Sequence, residues 1–116
     1  MFERLTILSL NVNGLRGSER RSNFFTWLKL SHTDLIFLQD THWTPEDSKL
    51  WSEQWGLNAL WSTHNAILST NCSITLTNIA TLTLPCTLVA KVFHPSLTKE
   101  YFVGSSYFLA DRYECS

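Results

Sequence analysis

The fold of this chain is decided by two stretches, Leu8-Ser9-Leu10-Asn11-Val12-Asn13-Gly14-Leu15-Arg16 and, further along, Leu35-Ile36-Phe37-Leu38-Gln39-Asp40-Thr41-His42. Each stretch is a short apolar run that ends abruptly in polar residues. A short apolar run bounded by turn residues predicts a buried strand. With a helix between them, the two strands predict a βαβ-like unit or helix-on-sheet packing, and their polar ends are expected to meet at one site.

Two helices are expected near the start of the chain. The first runs from Ser18 to about Leu30 and carries an apolar stripe at roughly helical spacing, formed by Phe24, Trp27, Leu28 and Leu30. The second begins at Thr44-Pro45-Glu46-Asp47, where a capping residue, a proline and two acids coincide, and it stops at Gly56. The segments with strand-like composition that follow are Leu57 to Trp61, Ala66 to Ser69, Ile74 to Thr77, Thr81 to Leu84, Val89 to Phe93 and Tyr101 to Tyr107. Helices outside sheets predict an α/β sandwich.

The composition fits one globular domain over residues 1–116. The chain has 44% hydrophobic residues with five Trp and seven Phe, which argues against disorder. A formal net charge of -1 neither demands nor excludes a nucleic-acid partner. The three cysteines are too widely spaced for a zinc knuckle, and their odd number does not indicate a disulfide framework. No signal peptide or membrane span is recognised, so an intracellular protein of the nucleus or cytoplasm, without a membrane partner, is expected.

Asn11 and Asp40 are the first candidates for chemistry because they follow the two predicted strands. An amide oxygen and a carboxylate are hard oxygen ligands of the kind that Mg²⁺ prefers. Each residue also has a plain alternative. Asn11 can be a turn residue, since Asn is common in turns, and Asp40 can be a loop acid that holds no metal.

The order LNVNGLR, helix, LQ-acidic-TH resembles the start of the endonuclease/exonuclease/phosphatase superfamily. It is most similar to the endonuclease domain of LINE-type (non-LTR) retrotransposons. The resemblance implies a deoxyribonuclease-like four-layer α/β sandwich, of which this chain supplies about the first half. It also implies a DNA partner and phosphodiester hydrolysis that depends on Mg²⁺, or on Mn²⁺ in its place. Asn11 would then be a catalytic residue beside the metal and the scissile phosphate.

Two candidate site residues involve departures from the family pattern: Asp40 itself differs, and Tyr107 is followed by different residues. The superfamily carries a metal-ligating Glu where this chain has Asp40, which is one methylene shorter, so a water is expected to fill the gap. Tyr107 aligns with a catalytic-site Tyr that hydrogen-bonds the phosphate region. The Ala-Pro that follows this Tyr in relatives is replaced here by Phe108-Leu109. Tyr107 is equally compatible with a core position.

Neighbouring residues receive lesser roles. His42 is expected to be structural or close to phosphate without being the catalytic base, and Gln39 is expected to orient its neighbours. Arg16 and Arg112 are candidates for phosphate contacts, although exposed arginines usually face solvent. Arg20 and Arg21 are expected to be solvated.

The five tryptophans are expected to pack mainly in the core. Trp43, in the loop after the acidic segment, is the one considered for contact with DNA.

The family's Gly-Asp-Phe-Asn-like segment and Ser-Asp-His segment do not occur in this sequence. The expectation is therefore a truncated or decayed retrotransposon endonuclease that is inactive alone. The alternative is a non-catalytic module that binds nucleic acid or protein. Half of a two-sheet sandwich would leave sheet surface uncovered, so self-association or aggregation is also expected.

Overall fold

The two apolar stretches that contain Leu10 and Leu38 form adjacent parallel strands joined by a helix. The structure is a computed structural model that describes residues 6–79, 87–95 and 101–106. Strand β1 (Ile7–Asn11) pairs in parallel with β2 (Leu35–Gln39), and helix α1 (Ser18–Lys29) makes the crossover. The predicted βαβ-like unit is therefore confirmed.

The second helix and the hairpin that follows complete the first sheet. A short 3₁₀ turn (Pro45–Asp47) leads into helix α2 (Ser48–Trp55), followed by β3 (Ala59–Trp61) and β4 (Asn65–Ser69). Sheet A has the order β1-β2-β4-β3, with β4 antiparallel to both of its neighbours. Strand β1 therefore lies at one edge of the sheet.

The predicted capping residues at Thr44–Asp47 start the 3₁₀ turn that leads into α2, and α2 ends at Gly56 as the sequence predicts. The Thr44 side chain accepts a bond from the backbone of Asp47, while Oδ2 of Asp47 accepts bonds from the Thr44 backbone N–H and hydroxyl. This reciprocal pairing satisfies donors that a helix start leaves open. Gly56 ends the helix in the left-handed conformation, with φ of 81°.

A second, antiparallel sheet is stacked on the first. Sheet B contains β5 (Thr75–Asn78), β6 (Thr87–Phe93) and β7 (Tyr101–Ser106) in the order β5-β6-β7. The expected strand over Thr81 to Leu84 lies outside the described residues. The described part of the chain is thus an α/β protein with two helices and two sheets.

Two apolar clusters hold the layers together. One lies between the helices and sheet A and is built around Phe25, Leu28, Trp51 and Trp55 together with Ile36, Leu38, Ala66 and Leu68. The other lies between the sheets and contains Leu35, Ile67, Ile74, Leu76, Leu88, Ala90 and Val92. Alternate residues of β2 therefore face different layers, as strand geometry requires. The described residues form three layers: helices, sheet A and sheet B.

The first helix turns a different face to the core than its apolar residues predict. Arg21, Phe25 and Leu28 are its buried residues, whereas Trp27 is 56% exposed and Leu30 is 67% exposed. The buried residues are spaced by four and three positions, which places them on one helix face. The predicted apolar stripe was wrong at Trp27 and Leu30, because the helix turns the face that carries Arg21, Phe25 and Leu28 toward the core.

No helix in the described part of the chain has the length and apolar content that crossing a membrane requires.

Candidate functional site

The ends of β1 and β2 are joined by a regular series of backbone bonds. Asn11 is the register partner of Gln39, the residue before Asp40. Beyond the strands, the backbone N–H of Val12 donates to Gln39 O at 2.9 Å, and the backbone N–H of Gly14 donates to Asp40 O at 2.6 Å. The two loops therefore run side by side, and the segments that carry Asn11 and Asp40 lie at the same edge of sheet A, as the sequence predicts. We call Asn11, Asp40 and the loops that follow β1 and β2 the strand-end site.

Asp40 is held in a special conformation by its backbone and its side chain. Its φ is 61°, in the left-handed region that Asp adopts more readily than most residues. Its backbone N–H donates to His64 O at 2.7 Å. Its Oδ1 atom lies 2.8 Å from Nε2 of His42. The carboxylate is therefore positioned beside an imidazole, with a side chain only 15% exposed.

Gly14 packs directly against His42. A Cβ atom built on Gly14 would lie 2.8 Å from Nδ1 of His42, which is closer than such atoms approach. The φ of Gly14 is also 87°, a value that disfavours side chains. Glycine at this position therefore allows the imidazole to lie between the loop after β1 and the carboxylate of Asp40.

Asn11 has the turn role that its sequence context left open. Its Oδ1 atom accepts a bond from the backbone N–H of Asn13 at 3.1 Å, and Asn13 has a φ of 51°. A side chain that bonds the backbone two residues on is typical of an Asx turn. Asn11 remains exposed at the strand end, so the turn role leaves its amide in contact with solvent.

Gln39 links the two sheets behind the strand-end site. Its Nε2 atom donates to Ser9 Oγ at 3.1 Å and to Ser105 Oγ at 3.0 Å. Ser105 in turn donates to Oδ1 of the buried Asn65 at 3.1 Å. The prediction that Gln39 orients its neighbours did not identify these partners, because nothing local in the sequence connects β2 with β7.

Arg16 is paired with Asp47 rather than displayed to solvent alone. Its two terminal nitrogens lie 2.6 and 2.7 Å from the carboxylate oxygens of Asp47, and one also donates to His42 O at 3.1 Å. Hydrogen bonding from Arg16, opposed by burial and aided by Thr44, lowers the pKa of Asp47 to about 2. Arg16 therefore ties the loop after β1 to the start of α2, and this ion pair accounts for its position without a phosphate.

Arg20 and Arg21 both brace the loop after β1. Arg21 is 3% exposed, donates to Leu15 O at 2.9 Å and to Gln54 Oε1 at 2.5 Å, and lies over the Trp51 ring. Its burial lowers the pKa of the guanidinium. Arg20 is exposed and donates to the carbonyls of Val12 and Gly14. The prediction that both are solvated was wrong for Arg21, because the Leu15 carbonyl, the Gln54 side chain and the Trp51 ring surround its guanidinium.

The tryptophans divide between the core and the surface. Trp51 and Trp55 are buried in the cluster under the helices, as predicted. Trp43 is half-buried, and its indole nitrogen is buried without a hydrogen-bond partner among the described residues. Trp27 instead lines an open groove of about 350 Å³ beside Asn11, together with Leu10, Val12, Arg20 and Phe24. Nothing in the sequence indicates this groove, since Trp27 fits a helical core stripe equally well.

The remaining candidates cannot be placed at the site. Tyr107 and Arg112 lie outside the described residues, as do Cys86 and Cys115. Among the residues that the structure describes, no three His, Cys, Asp or Glu side chains form a group that could hold a metal ion. Asp40 and Asn11 carry a carboxylate and an amide oxygen, the types of atom that could contribute to holding a cation at the strand ends.

No protein-family model matches this chain, and a search of curated proteins finds no match to it.

Proposed function

We propose that this chain is part of a divalent-metal-dependent DNA endonuclease domain of the LINE retrotransposon type. One observation carries the proposal. Asn11 is the last residue of β1 and Asp40 directly follows β2, its parallel neighbour, in the LNVNGLR and LQDTH segments that resemble the family. Ligands of open α/β sheets commonly bind at the carboxyl ends of their strands.

The donor atoms at the strand ends fit Mg²⁺ in type. Mg²⁺ often binds through one or two carboxylates, keeping several waters and taking phosphate oxygens from the substrate. Asp40 would supply the carboxylate and Asn11 the amide oxygen. A bound Mg²⁺ or Mn²⁺ would offset the negative charge of a phosphodiester and stabilise the charge that develops during hydrolysis.

Two features weaken this site relative to the family pattern. Asp40 is one methylene shorter than the family's Glu, and its Oδ1 atom is already engaged by His42. Mg²⁺ tolerates misplaced ligands poorly because it requires near-octahedral geometry. We therefore propose weak metal binding, with Asn11 and the backbone of the neighbouring loop contacting the phosphate.

Hydrolysis by this chain alone is proposed to be slow or absent. In-line attack on a phosphodiester needs a water activated by a positioned base. The family's base comes from a Ser-Asp-His segment, and no such segment occurs in this sequence. The proposed function of these residues is then recognition of a metal-bound phosphodiester, and cleavage would depend on a base that residues 1–116 do not supply.

The finer fold is part of the same proposal. Two stacked sheets with helices on the outer face of sheet A agree with part of a deoxyribonuclease-like four-layer sandwich. On the outer face of sheet B, Phe93 and Phe102 are 56% and 58% exposed. In the proposed four-layer arrangement, a further helical layer would cover these rings.

A second candidate function is a non-catalytic binding module. It is favoured by the bond between Asp40 and His42, which gives the carboxylate a partner within the chain, and by the open groove beside β1. Nucleic-acid or protein binding that is indifferent to Asp40 would support this alternative.

The test is nicking and binding of DNA by the 116-residue chain in Mg²⁺ or Mn²⁺. We expect metal-dependent binding to a DNA duplex that is lost in Asp40→Asn and Asn11→Ala and kept in Glu53→Gln, which removes an exposed acid from α2. Nicking of supercoiled plasmid should be weak in all of them. Binding that is equal in the absence of metal and in Asp40→Asn would contradict the proposal and favour the binding module.

A further inference from the structure

A line of hydrogen bonds crosses from sheet A to sheet B next to the strand-end site. Gln39 on β2 donates to Ser105 on β7 at 3.0 Å, and Ser105 donates to Asn65 on β4 at 3.1 Å. Gln39 is at the same time the register partner of Asn11 and the residue before Asp40. The Gln39 side chain therefore connects the strand-end site in sheet A with Ser105 in sheet B.

Because Asn65 and Ser105 are buried, the loss of either hydrogen bond would take a partner from a buried polar atom. Asn65 is fully buried and Ser105 is 4% exposed. Buried polar groups that lose a partner are strongly disfavoured, because no water replaces the missing bond. The Ser105 hydroxyl has one proton, which it gives to Asn65, and its lone pairs are then free to accept from Gln39. An apolar side chain at position 105 can perform neither role.

We propose that Ser105, anchored by Asn65, is a positioning residue for the strand-end site. It fixes the Gln39 side chain across the sheet interface and thereby holds the ends of β1 and β2 at the spacing that Asn11 and Asp40 need. The inference deepens the proposed function, and its part that concerns metal affinity rests on that function. The bond between the Gln39 and Ser105 side chains stands independently of any metal.

Sheet register explains how a contact at Gln39 reaches Asp40. The carbonyl of Gln39 accepts from Val12, and the carbonyl of Asp40 accepts from Gly14, at 2.9 and 2.6 Å. These bonds continue the β1–β2 ladder into the two loops. Rotation of Gln39 away from β7 would loosen the end of this ladder, whereas the apolar cluster between the sheets would remain.

The experiment uses the 116-residue chain, four single variants and the double variant Ser105→Ala/Gln39→Met. Ser105→Ala removes the hydroxyl, Ser105→Thr restores one, Gln39→Met removes the amide at the other end of the bond, and Thr77→Ala removes an exposed hydroxyl from β5 as a control. For each protein, the side-chain amide protons of Gln39 are followed by NMR where present, Mn²⁺ affinity is measured by electron paramagnetic resonance, and thermal unfolding is recorded.

The expected result separates positioning from general stability. Ser105→Ala should shift the Gln39 amide resonances and speed their exchange with water. It should also weaken Mn²⁺ binding by roughly tenfold, the lower end of the losses typical when a residue that orients a metal ligand is removed. Ser105→Thr should restore both readouts, and Thr77→Ala should change neither. Gln39→Met should weaken Mn²⁺ binding as Ser105→Ala does, with little further loss in the double variant.

Unchanged Gln39 amide signals in Ser105→Ala would overturn the inference. So would changed signals accompanied by unchanged Mn²⁺ affinity, since Ser105 would then be only a structural contact. If the unaltered chain binds no Mn²⁺ at all, the proposed function fails and its metal-positioning extension fails with it. The Gln39 amide signals would still report separately whether Ser105 fixes that side chain.

Discussion

The Nε2 atom of His42 lies 2.8 Å from the Oδ1 atom of Asp40, and the other edge of the same imidazole packs on Gly14. The loop after β1 and the loop after β2 are thus connected through one ring. The carboxylate that the sequence offers as a metal ligand is also a hydrogen-bond partner within the chain. We therefore expect the metal binding proposed at Asp40 to be coupled to the order of these loops.

Removing the imidazole should free Asp40 for a cation. His42→Ala is expected to raise Mn²⁺ affinity by roughly 3- to 10-fold, because a bond worth on the order of 1 kcal/mol no longer competes for the carboxylate. Isothermal titration with Mn²⁺ measures the change. His32→Asn, which alters another exposed histidine with positive φ, is the control. Affinity that falls in His42→Ala would show that the imidazole supports the ion rather than competing with it.

Gly14→Ala should be more destabilising than Gly17→Ala. Both glycines have positive φ, so both substitutions are strained by about 1 kcal/mol or more. At Gly14 the new methyl group also collides with His42, whereas at Gly17 the nearest atom is 3.9 Å away. Urea unfolding of both variants measures the difference. Equal losses of stability would mean that the packing of Gly14 on His42 is unimportant.

Combining the two changes isolates the contact itself. In a His42→Ala background, Gly14→Ala should keep its conformational strain but lose the collision. Its effect should then approach that of Gly17→Ala. An undiminished effect would place the cause in the backbone alone.

Acid should weaken the connection between Arg16 and the start of α2. The pKa of Asp47 is lowered to about 2, mainly by hydrogen bonding from Arg16, whereas an unfolded Asp titrates near about 3.9. A lowered pKa contributes stability that is complete above the unfolded value and is lost as the pH falls through about 2. Asp47→Asn should therefore be less stable than the unaltered chain at pH 6.

The stability difference between these two proteins should shrink between about pH 4 and pH 2. Thermal unfolding across this interval, with Glu46→Gln as a control for an exposed acid beside Asp47, measures it. A difference that stays constant down to pH 2 would contradict the role assigned to the ion pair.

Arg21 should be far more important for stability than its neighbour Arg20. Arg21→Met leaves the carbonyl of Leu15 and the amide of Gln54 without their donor in a buried site, a change expected to cost about 1–3 kcal/mol. Arg20→Met removes bonds at an exposed position and should cost less. Chemical denaturation gives both free energies of unfolding. Equal values would show that burial of Arg21 contributes nothing.

The uncovered face of sheet B should promote self-association. Exposed aromatic side chains on an antiparallel sheet mark surfaces that pair with other chains or aggregate. Phe93→Thr with Phe102→Thr should shift sedimentation profiles toward the monomer, whereas Leu50→Thr on α2 should not. Profiles that do not respond to the paired substitutions would place any association elsewhere.

The elements with local signals were predictable from the sequence. The strands that contain Leu10 and Leu38 are short apolar runs. The capped turn at Thr44-Pro45 that leads into α2 and the Gly56 end of α2 follow from capping chemistry and positive φ. The meeting of the Asn11 and Asp40 segments followed from parallel pairing of those strands.

The details that depend on distant partners were not predictable. Arg21 is buried because Leu15, Gln54 and Trp51 surround it, and none of them is marked in the sequence as its partner. Trp27 is exposed because α1 turns Phe25 and Leu28 inward. The contact of Gln39 with Ser105 joins residues 66 positions apart.

A Mn²⁺ titration followed by NMR tests the proposal that Asn11 and Asp40 form a site for a divalent cation. Paramagnetic broadening should appear first at the amides of residues 11–14 and 39–42, and Asp40→Asn should abolish it while Glu53→Gln leaves it unchanged. Broadening that is scattered over the acidic side chains, or that persists in Asp40→Asn, would contradict the claim.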